Sequence, residues 1–285
     1  MKTKSFILAA TAALMLMTAC TGNSQNTNNQ INTTMETINK VEKPMEQLIS
    51  MTDALYKRQS TRAFDMNGLT ADELRQITDF AQTVEPLIPG AKVKADIVGP
   101  DEIKAIMKWR APHYFAIYSD GSDEGIMNAA YIYEQTVIYM TSLGIGTCWA
   151  TSVSPKDKDE ADGSKWSAVI AFGRPAEGNG WRSPSDVNRK ALSDISDQRD
   201  ERLEAARIAP SSMNNQPWYF RHAGDEIEVY CKKQGLLKKW MVSQNRVDMG
   251  IALGNLKIAN PTMTFSPVAD KIEKDGYTLM GKIRF

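Results

Sequence analysis

The chain has few of the residues that usually carry metal or acid–base chemistry. It holds two histidines, His113 and His222, and three cysteines, Cys20, Cys148 and Cys231, all far apart in sequence. No CxxC pair or zinc-ligand spacing occurs, so the sequence encodes no recognisable metal centre. A disulfide between Cys148 and Cys231 stays open for an exported chain, with no spacing pattern to support it. The 34 basic residues are balanced by 34 acidic ones, with both signs mixed throughout. That leaves no basic stripe for nucleic acid. Gly144-Ile145-Gly146 lacks the third glycine of a dinucleotide fingerprint and follows a predicted helix, which excludes a Rossmann reading. Long apolar runs are also scarce: Phe6–Ala19, after Lys2 and Lys4, suits a signal-peptide core and is too short to span a bilayer as a helix.

That run ends in LMTAC, which places Cys20 where a bacterial lipoprotein carries its lipid. Met17 stands where leucine is usual, so ordinary signal-peptide cleavage is the alternative. Residues 1–19 are thus expected to be a leader. Residues 20–44 are rich in Asn, Thr, Gln and Ser without apolar period; they cannot bury enough surface to offset ordering and read as a tether. As a coil it would hold the rest roughly 25–30 Å from a membrane surface. The remaining length suits one large domain or two closely packed halves, here 45–180 and 181–285.

Apolar periodicity predicts helices over Met45–Lys57, Thr70–Gln82, Asp101–Trp109, Ile126–Leu143, Asp197–Ala209 and Val247–Ala259. Thr70 and Glu73 form a capping box. Strands fit Lys92–Val98, Tyr114–Tyr118, Trp166–Phe172 and Tyr277–Phe285, and a hairpin fits Trp218–His222 with Glu226–Cys231. Pro155–Gly163 reads as a charged loop. Together these give an α+β chain.

Two stretches could carry chemistry. In AARIAPSSMNNQPWYF, Ala205–Phe220, Pro210 ends a helix and Ser211, Ser212, Asn214, Asn215 and Gln216 crowd one loop with donors and acceptors. This suits a flat polar ligand; a ligand-free polar connection is the other reading. If Arg58–Arg62 is extended, alternation puts Arg58, Ser60 and Arg62 on one side. Two guanidiniums and a hydroxyl converging there suit a phosphate. The alternative is a solvated charged turn.

The segment APSSMNNQPWYF resembles the APSxxNxQPW signature of the nitroreductase-like flavoproteins, and YKRQSTRAF at Tyr56–Phe64 resembles their Arg-x-Ser-x-Arg segment. LGIGTCWA at Leu143–Ala150 and AFGRP at Ala171–Pro175 resemble two more family segments. The resemblance implies a three-layer α/β/α fold, FMN as cofactor, and two-electron reduction of a nitroaromatic, quinone or similar small-molecule acceptor. It places the FMN phosphate at Arg58, Ser60 and Arg62, with Gln59 where a basic residue or histidine is often found. It places the ring edge and ribityl chain at Ser211, Ser212 and Asn214, in the loop that Pro210 opens. Backbone near flavin N5 would come from Thr147, Cys148 and Trp149. Arg189 and Lys190 are a further basic pair that would reach the phosphate. No side chain is implied as acid, base or nucleophile.

Helix, loop, strand, buried helix and strand recur twice along the chain. Family members are ordinarily homodimers with flavin sites built across the interface. The repeated order therefore resembles the branch in which one polypeptide mimics the dimer, implying a monomer with one site, because TVEPLIPG in the first half offers almost no side-chain hydrogen bonds where the second has PSSMNNQ. An exported enzyme would not meet the cytoplasmic NAD(P)H pool, which leaves the electron donor open. A flavin-free lipoprotein using the same fold as a binding module is the rival reading.

Overall fold

The computed structural model describes residues 44–285, apart from 107, 152, 159–161, 184–186, 235–240 and 270–271. The leader, Cys20 and the tether through residue 43 lie outside the described residues. Helix α1 covers Met51–Lys57, opened by the Ser50 hydroxyl accepting the Asp53 N–H. It is shorter than the expected Met45–Lys57 because the preceding backbone bonds elsewhere. The N–H of Met45 goes to the Gln76 side chain and that of Leu48 to the Ser142 carbonyl. Helix α2, Ala71–Thr83, starts at the expected Thr70–Glu73 capping box.

Strand β1 is Val93–Val98. The helix expected at Asp101–Trp109 is instead one 3-10 turn, Pro100–Glu102, and a short strand β2, Ile103–Ala105. Pairing overrides local propensity there: β2 bonds to Val153–Pro155, so the expected charged loop begins as a strand. Strand β3 is His113–Ser119 and helix α3 is Asp123–Ser142, with Ser122 capping through the Gly125 N–H. Gly144 takes φ +75° just past the helix, a left-handed turn that glycine adopts without a Cβ clash. Strands β4 (Gly146–Trp149), β5 (Val153–Pro155) and β6 (Lys165–Gly173) follow.

The expected helix Asp197–Ala209 is also broken up. Helix α4 is Leu192–Ile195, a 3-10 turn covers Glu201–Leu203, and α5 is only Glu204–Arg207. Residues 196–197 run beside the next strand instead: Ser196 bridges Phe220, and the Asp197 N–H donates to the Phe220 carbonyl at 3.2 Å. The hairpin follows as expected, β7 (Trp218–Ala223) and β8 (Glu226–Lys232), turning at Gly224 with φ +66°. Helix α6 is Met241–Ala259, then come β9 (Thr264–Pro267), β10 (Glu273–Lys274) and β11 (Tyr277–Arg284).

The result is a mixed α+β fold with two main antiparallel sheets of the same wiring. One runs β1-β3-β6-β4; in the other β7 pairs β8, β8 pairs β11, and β9 lies on the far edge of β11. In each, a hairpin is followed by a long helix, a short edge strand, and a strand inserted beside the hairpin. Helix α3 packs on the first sheet and α6 on the second, and the two helices pack on each other. Gly250 and Gly254 allow this contact. A β-carbon at Gly250 would fall on the Met127 carbonyl oxygen, and one at Gly254 would stand 3.0 Å from that of Tyr131.

Phe115, Ile117, Ile170 and Phe172 from the first sheet join Trp218, Phe220, Val229 and Ile283 from the second in one buried cluster around these helices. On the other face of the first sheet, Tyr114, Val169 and Ala171 pack with Cys148, Phe64, Ile103 and Val153. Cys148 and Cys231 are both buried free thiols, one in each main sheet. Among the described residues, no helix is long and apolar enough to cross a membrane, and no cluster of metal-ligating side chains occurs.

Candidate functional site

The arm from Arg58 to Phe64 leaves α1 extended and lies along the edge of the first sheet. Ser60 bridges Thr147 in parallel, and the Thr61 N–H donates to the Thr147 carbonyl at 2.9 Å. Gly146 is required for this approach, because a β-carbon there would meet the Thr61 side chain at 2.7 Å. The alternation of the arm brings its three polar side chains toward β4. Burial pushes the Cys148 thiol up from its ordinary value, against the opposing influence of Arg62, Arg58 and Ser60 on the arm.

Arg58 itself is only 3% exposed. Burial disfavours its charge, and the fully buried Glu134 on α3 opposes that effect. Burial also pushes the Glu134 carboxyl up to about 7, against the Arg58 charge and a 2.6 Å hydrogen bond from the Trp149 indole. Arg58 thus stands behind the arm rather than in the open.

The central loop is strained. Met213, Asn214 and Gln216 all adopt left-handed conformations, with φ of 53°, 56° and 46°, which costs each non-glycine residue on the order of 1–3 kcal/mol. Side chains from two directions hold it. From α6, Asp248 Oδ1 accepts the Ser212 N–H at 2.9 Å and Gln244 Oε1 accepts the Ser212 hydroxyl at 2.6 Å. From the other side, Lys190 Nζ donates to the carbonyls of Asn215 and Gln216 at 3.1 and 3.0 Å, and Arg189 Nε to that of Ala209 at 2.9 Å. The Asn214 amide donates to the Asn188 carbonyl at 3.2 Å. Burial lowers the proton affinity of Arg189, and the nearby charges of Arg58 and Arg207 add to the effect.

A cavity of about 350 Å³ lies between arm, sheet, loop and α6. Of the residues expected at a site, Ser60, Arg62, Trp149, Pro210, Ser211 and Ser212 line it together. Arg58, Thr147 and Cys148 lie buried behind its wall. Gln59 is turned to the Trp181 carbonyl at 3.2 Å, while Asn214, Arg189 and Lys190 bond the loop backbone. The sequence reading missed Trp166, Ile126, Gln244 and Asp248, which also line it. Asp248 left a signal: a lone acid in an apolar helix, four residues after Gln244, so both project from one face. Its carboxyl is 2% exposed, and burial holds it well above the ordinary carboxylate range against the Ser212 hydrogen bond.

A family model described as "Putative TM nitroreductase" matches residues 50–260. A solved structure from Thermotoga maritima MSB8, described as a putative nitroreductase, aligns with a TM-score of 0.56 at 18% identity, covering 85% of this chain and 98% of that one. A nitroreductase family protein from Clostridium difficile 630 aligns at 0.42 and 13% identity over 53% and 100% of the two chains. A nitroreductase with bound FMN from Bacteroides fragilis NCTC 9343 aligns at 0.38 and 17% over 46% and 90%. No curated protein matches. The Thermotoga likeness shows that the chain has the nitroreductase-like fold.

Proposed function

The chain belongs to the family described as Putative TM nitroreductase, and on that premise we propose that it is an exported, FMN-dependent oxidoreductase that reduces a nitroaromatic, quinone or similar acceptor by two electrons. The observation that carries this reading is the single cavity joining Ser60 and Arg62 of the arm to Pro210–Met213 of the central loop.

The lining suits a flavin mononucleotide. Its volume falls in the usual range for small-molecule sites, Trp149, Trp166, Ile126, Val247 and Ile251 offer flat apolar walls, and Ser211 and Ser212 offer polar groups. Arg62 is exposed and, among the described residues, its Nη1 donates to the Ser60 carbonyl at 3.5 Å. Its guanidinium is therefore available to a phosphate, with Ser60 beside it and the buried Arg58 adding charge from behind. A bound flavin would supply two-electron transfer. The chain's own work is to clamp the phosphate, wall the ring and exclude water.

The second part of the proposal is architectural. The matched wiring of the two sheets supports an internal duplication, with halves 45–180 and 181–285 closing in one chain the interface that two subunits would otherwise form. The chain then acts as a monomer, held to a membrane by lipid on Cys20. Light scattering of the folded domain and the mass of the mature N-terminal peptide test these points; a stable dimer or an unmodified start elsewhere would refute them.

Flavin-fluorescence quenching tests the function. The wild type should bind FMN saturably, and Arg62→Ala should weaken it roughly ten- to a hundredfold, the loss of a hydrogen bond to a charged group. Riboflavin, which lacks the phosphate, should be indifferent to this change. No saturable FMN binding by the wild type would defeat the reading.

A further inference from the structure

Among the polar side chains of the cavity that the phosphate clamp and the ring walls do not use, one is an acid, Asp248. It lines the cavity from α6 with its carboxyl almost wholly buried. Oδ1 is taken by the Ser212 N–H at 2.9 Å, while Oδ2 is buried without a hydrogen-bond partner. A buried polar atom without a partner costs on the order of 1–3 kcal/mol, and more if charged. A cost of that size beside an open cavity calls for an occupant. We infer that Asp248 is a ligand-recognising residue of this cavity, its carboxylic Oδ2–H donating to an acceptor oxygen on the bound molecule.

The surroundings support a donor rather than a carboxylate. The charged and titratable groups sharing its surroundings are Arg62, which lines the same cavity, and Cys231 of β8, on which Asp248 acts together with the Arg246–Asp123 pair that joins α6 to α3. Arg246 is committed to Asp123 at 3.1 Å. The thiol of Cys231 is itself pushed up to about 11 by burial, so it stays neutral near pH 7 and brings no positive charge. No ion pair to Asp248 occurs among the described residues. An isolated buried carboxylate would pay a large desolvation penalty, which protonation avoids. In the neutral acid Oδ1 still accepts from Ser212, and Oδ2–H becomes a donor that a bound molecule would satisfy. Gln244, one turn away with its oxygen bonded to the Ser212 hydroxyl at 2.6 Å, leaves its amide N–H₂ on the same wall. Two donors side by side select an oxygen-rich edge.

This inference rests on the flavin reading, and the acceptor oxygen has two sources, a ring carbonyl of the flavin or the carbonyl, quinone or nitro oxygen of the acceptor substrate. Asp248→Asn keeps an acceptor for Ser212 and a neutral donor for the ligand; Asp248→Leu removes both. Riboflavin and FMN affinity should stay within about threefold for Asn and fall about tenfold or more for Leu, the worth of a buried hydrogen bond. If flavin affinity holds in both variants while KM for a quinone rises about tenfold in Leu alone, the oxygen belongs to the substrate. An independent measurement uses the ligand-free wild type and the Asn variant, both of which keep the loop anchor. Infrared difference spectra near neutral pH should show a protonated-carboxyl C=O band that the substitution removes. Absence of that band, or an Asn variant as impaired as Leu, would overturn this inference while leaving the flavin site intact. A wild type that binds no flavin would instead overturn the functional reading.

Discussion

The two halves treat the loop before their first strand in opposite ways. In the first half, Asn128 of α3 accepts the N–H groups of Leu87 and Ile88 on one oxygen, at 2.7 and 3.2 Å, and its amide donates to the Ile88 carbonyl at 3.4 Å. Leu87 is buried, and this side chain is satisfied on both of its polar ends. In the second half, Asp248 of α6 accepts the Ser212 N–H, and its other oxygen is buried without a hydrogen-bond partner among the described residues. The wiring of the sheets is the same. One loop is held by an amide satisfied on both of its polar ends, the other by an acid with one oxygen left over. Fold and site are therefore written by different residues.

The joint between the halves is where this comparison breaks most easily. Gly250 lies against the α3 backbone so closely that any side chain must push the helices apart. Gly250→Val should destabilise by about 3 kcal/mol, the upper part of the overpacking range, read as a fall in the urea midpoint with little change in slope. Because α3 carries Asn128 and α6 carries Asp248, separating them should disturb both loops. A loss under about 1 kcal/mol would mean that the seam yields and that each half stands alone.

Much of this architecture was legible beforehand because it rests on local pattern. The apolar runs of α3 and α6, the Thr70–Glu73 box and the turn at Gly224 each declare themselves within a few residues. The failures share one cause. Residues 103–105 became a strand by pairing with 153–155, and Asp197, expected to open a helix, instead runs with Ser196 beside Phe220. Partners distant in sequence decided both. The site divides the same way: Ser60, Arg62, Ser211 and Ser212 sat in recognisable motifs, whereas Trp166 and Asp248 reach the cavity only through tertiary packing. Arg58 shows the limit of alternation, which predicts a side but not a depth, since its side chain is buried on the side of Glu134.

A second test concerns the acid on the other central helix. Glu134 of α3 lies against Gly254 of α6 and receives the Trp149 indole from the cavity wall. Its folded carboxyl holds a proton up to about pH 7, against 4.5 when unperturbed. Between those values the folded chain binds the extra proton, so this group's contribution is fully present below pH 4.5 and is lost as pH rises through 7. The wild type should lose about 2–3 kcal/mol across that window from this group. Glu134→Gln should remove that slope, and only above about pH 7, where the carboxyl ionises, should it also leave Arg58 without an opposing charge. Urea unfolding at several pH values gives the answer; parallel curves for the two proteins would mean that Glu134 is ionised in the fold.

The smallest effect tests how the second half replaces a helix. Where the first half leads into its loop with the thirteen residues of α2, the second uses a 3-10 turn and four residues of α5, held by His222. The His222 ring meets Asp197 at 2.8 Å and Asp200 at 3.2 Å, and its backbone N–H also donates to Asp197 at 3.0 Å. Partial burial disfavours the imidazolium, but the hydrogen bonds and charges of the two aspartates outweigh it and raise the ring above its ordinary value. The sign is the reverse of ordinary acid denaturation: the charged ring stabilises the fold below the unfolded value of about 6.5, and that gain is lost as pH rises through the higher folded value. Water reaches these groups, so the effect should stay below about 1 kcal/mol. His222→Gln should be less stable than the wild type near pH ~5.5 and close to it by pH ~9, the window that a raised histidine value defines. If the two proteins differ equally at both pH values, the ring acts through packing alone, and the backbone bond to Asp197 is what holds residues 196–197 in their extended path beside β7.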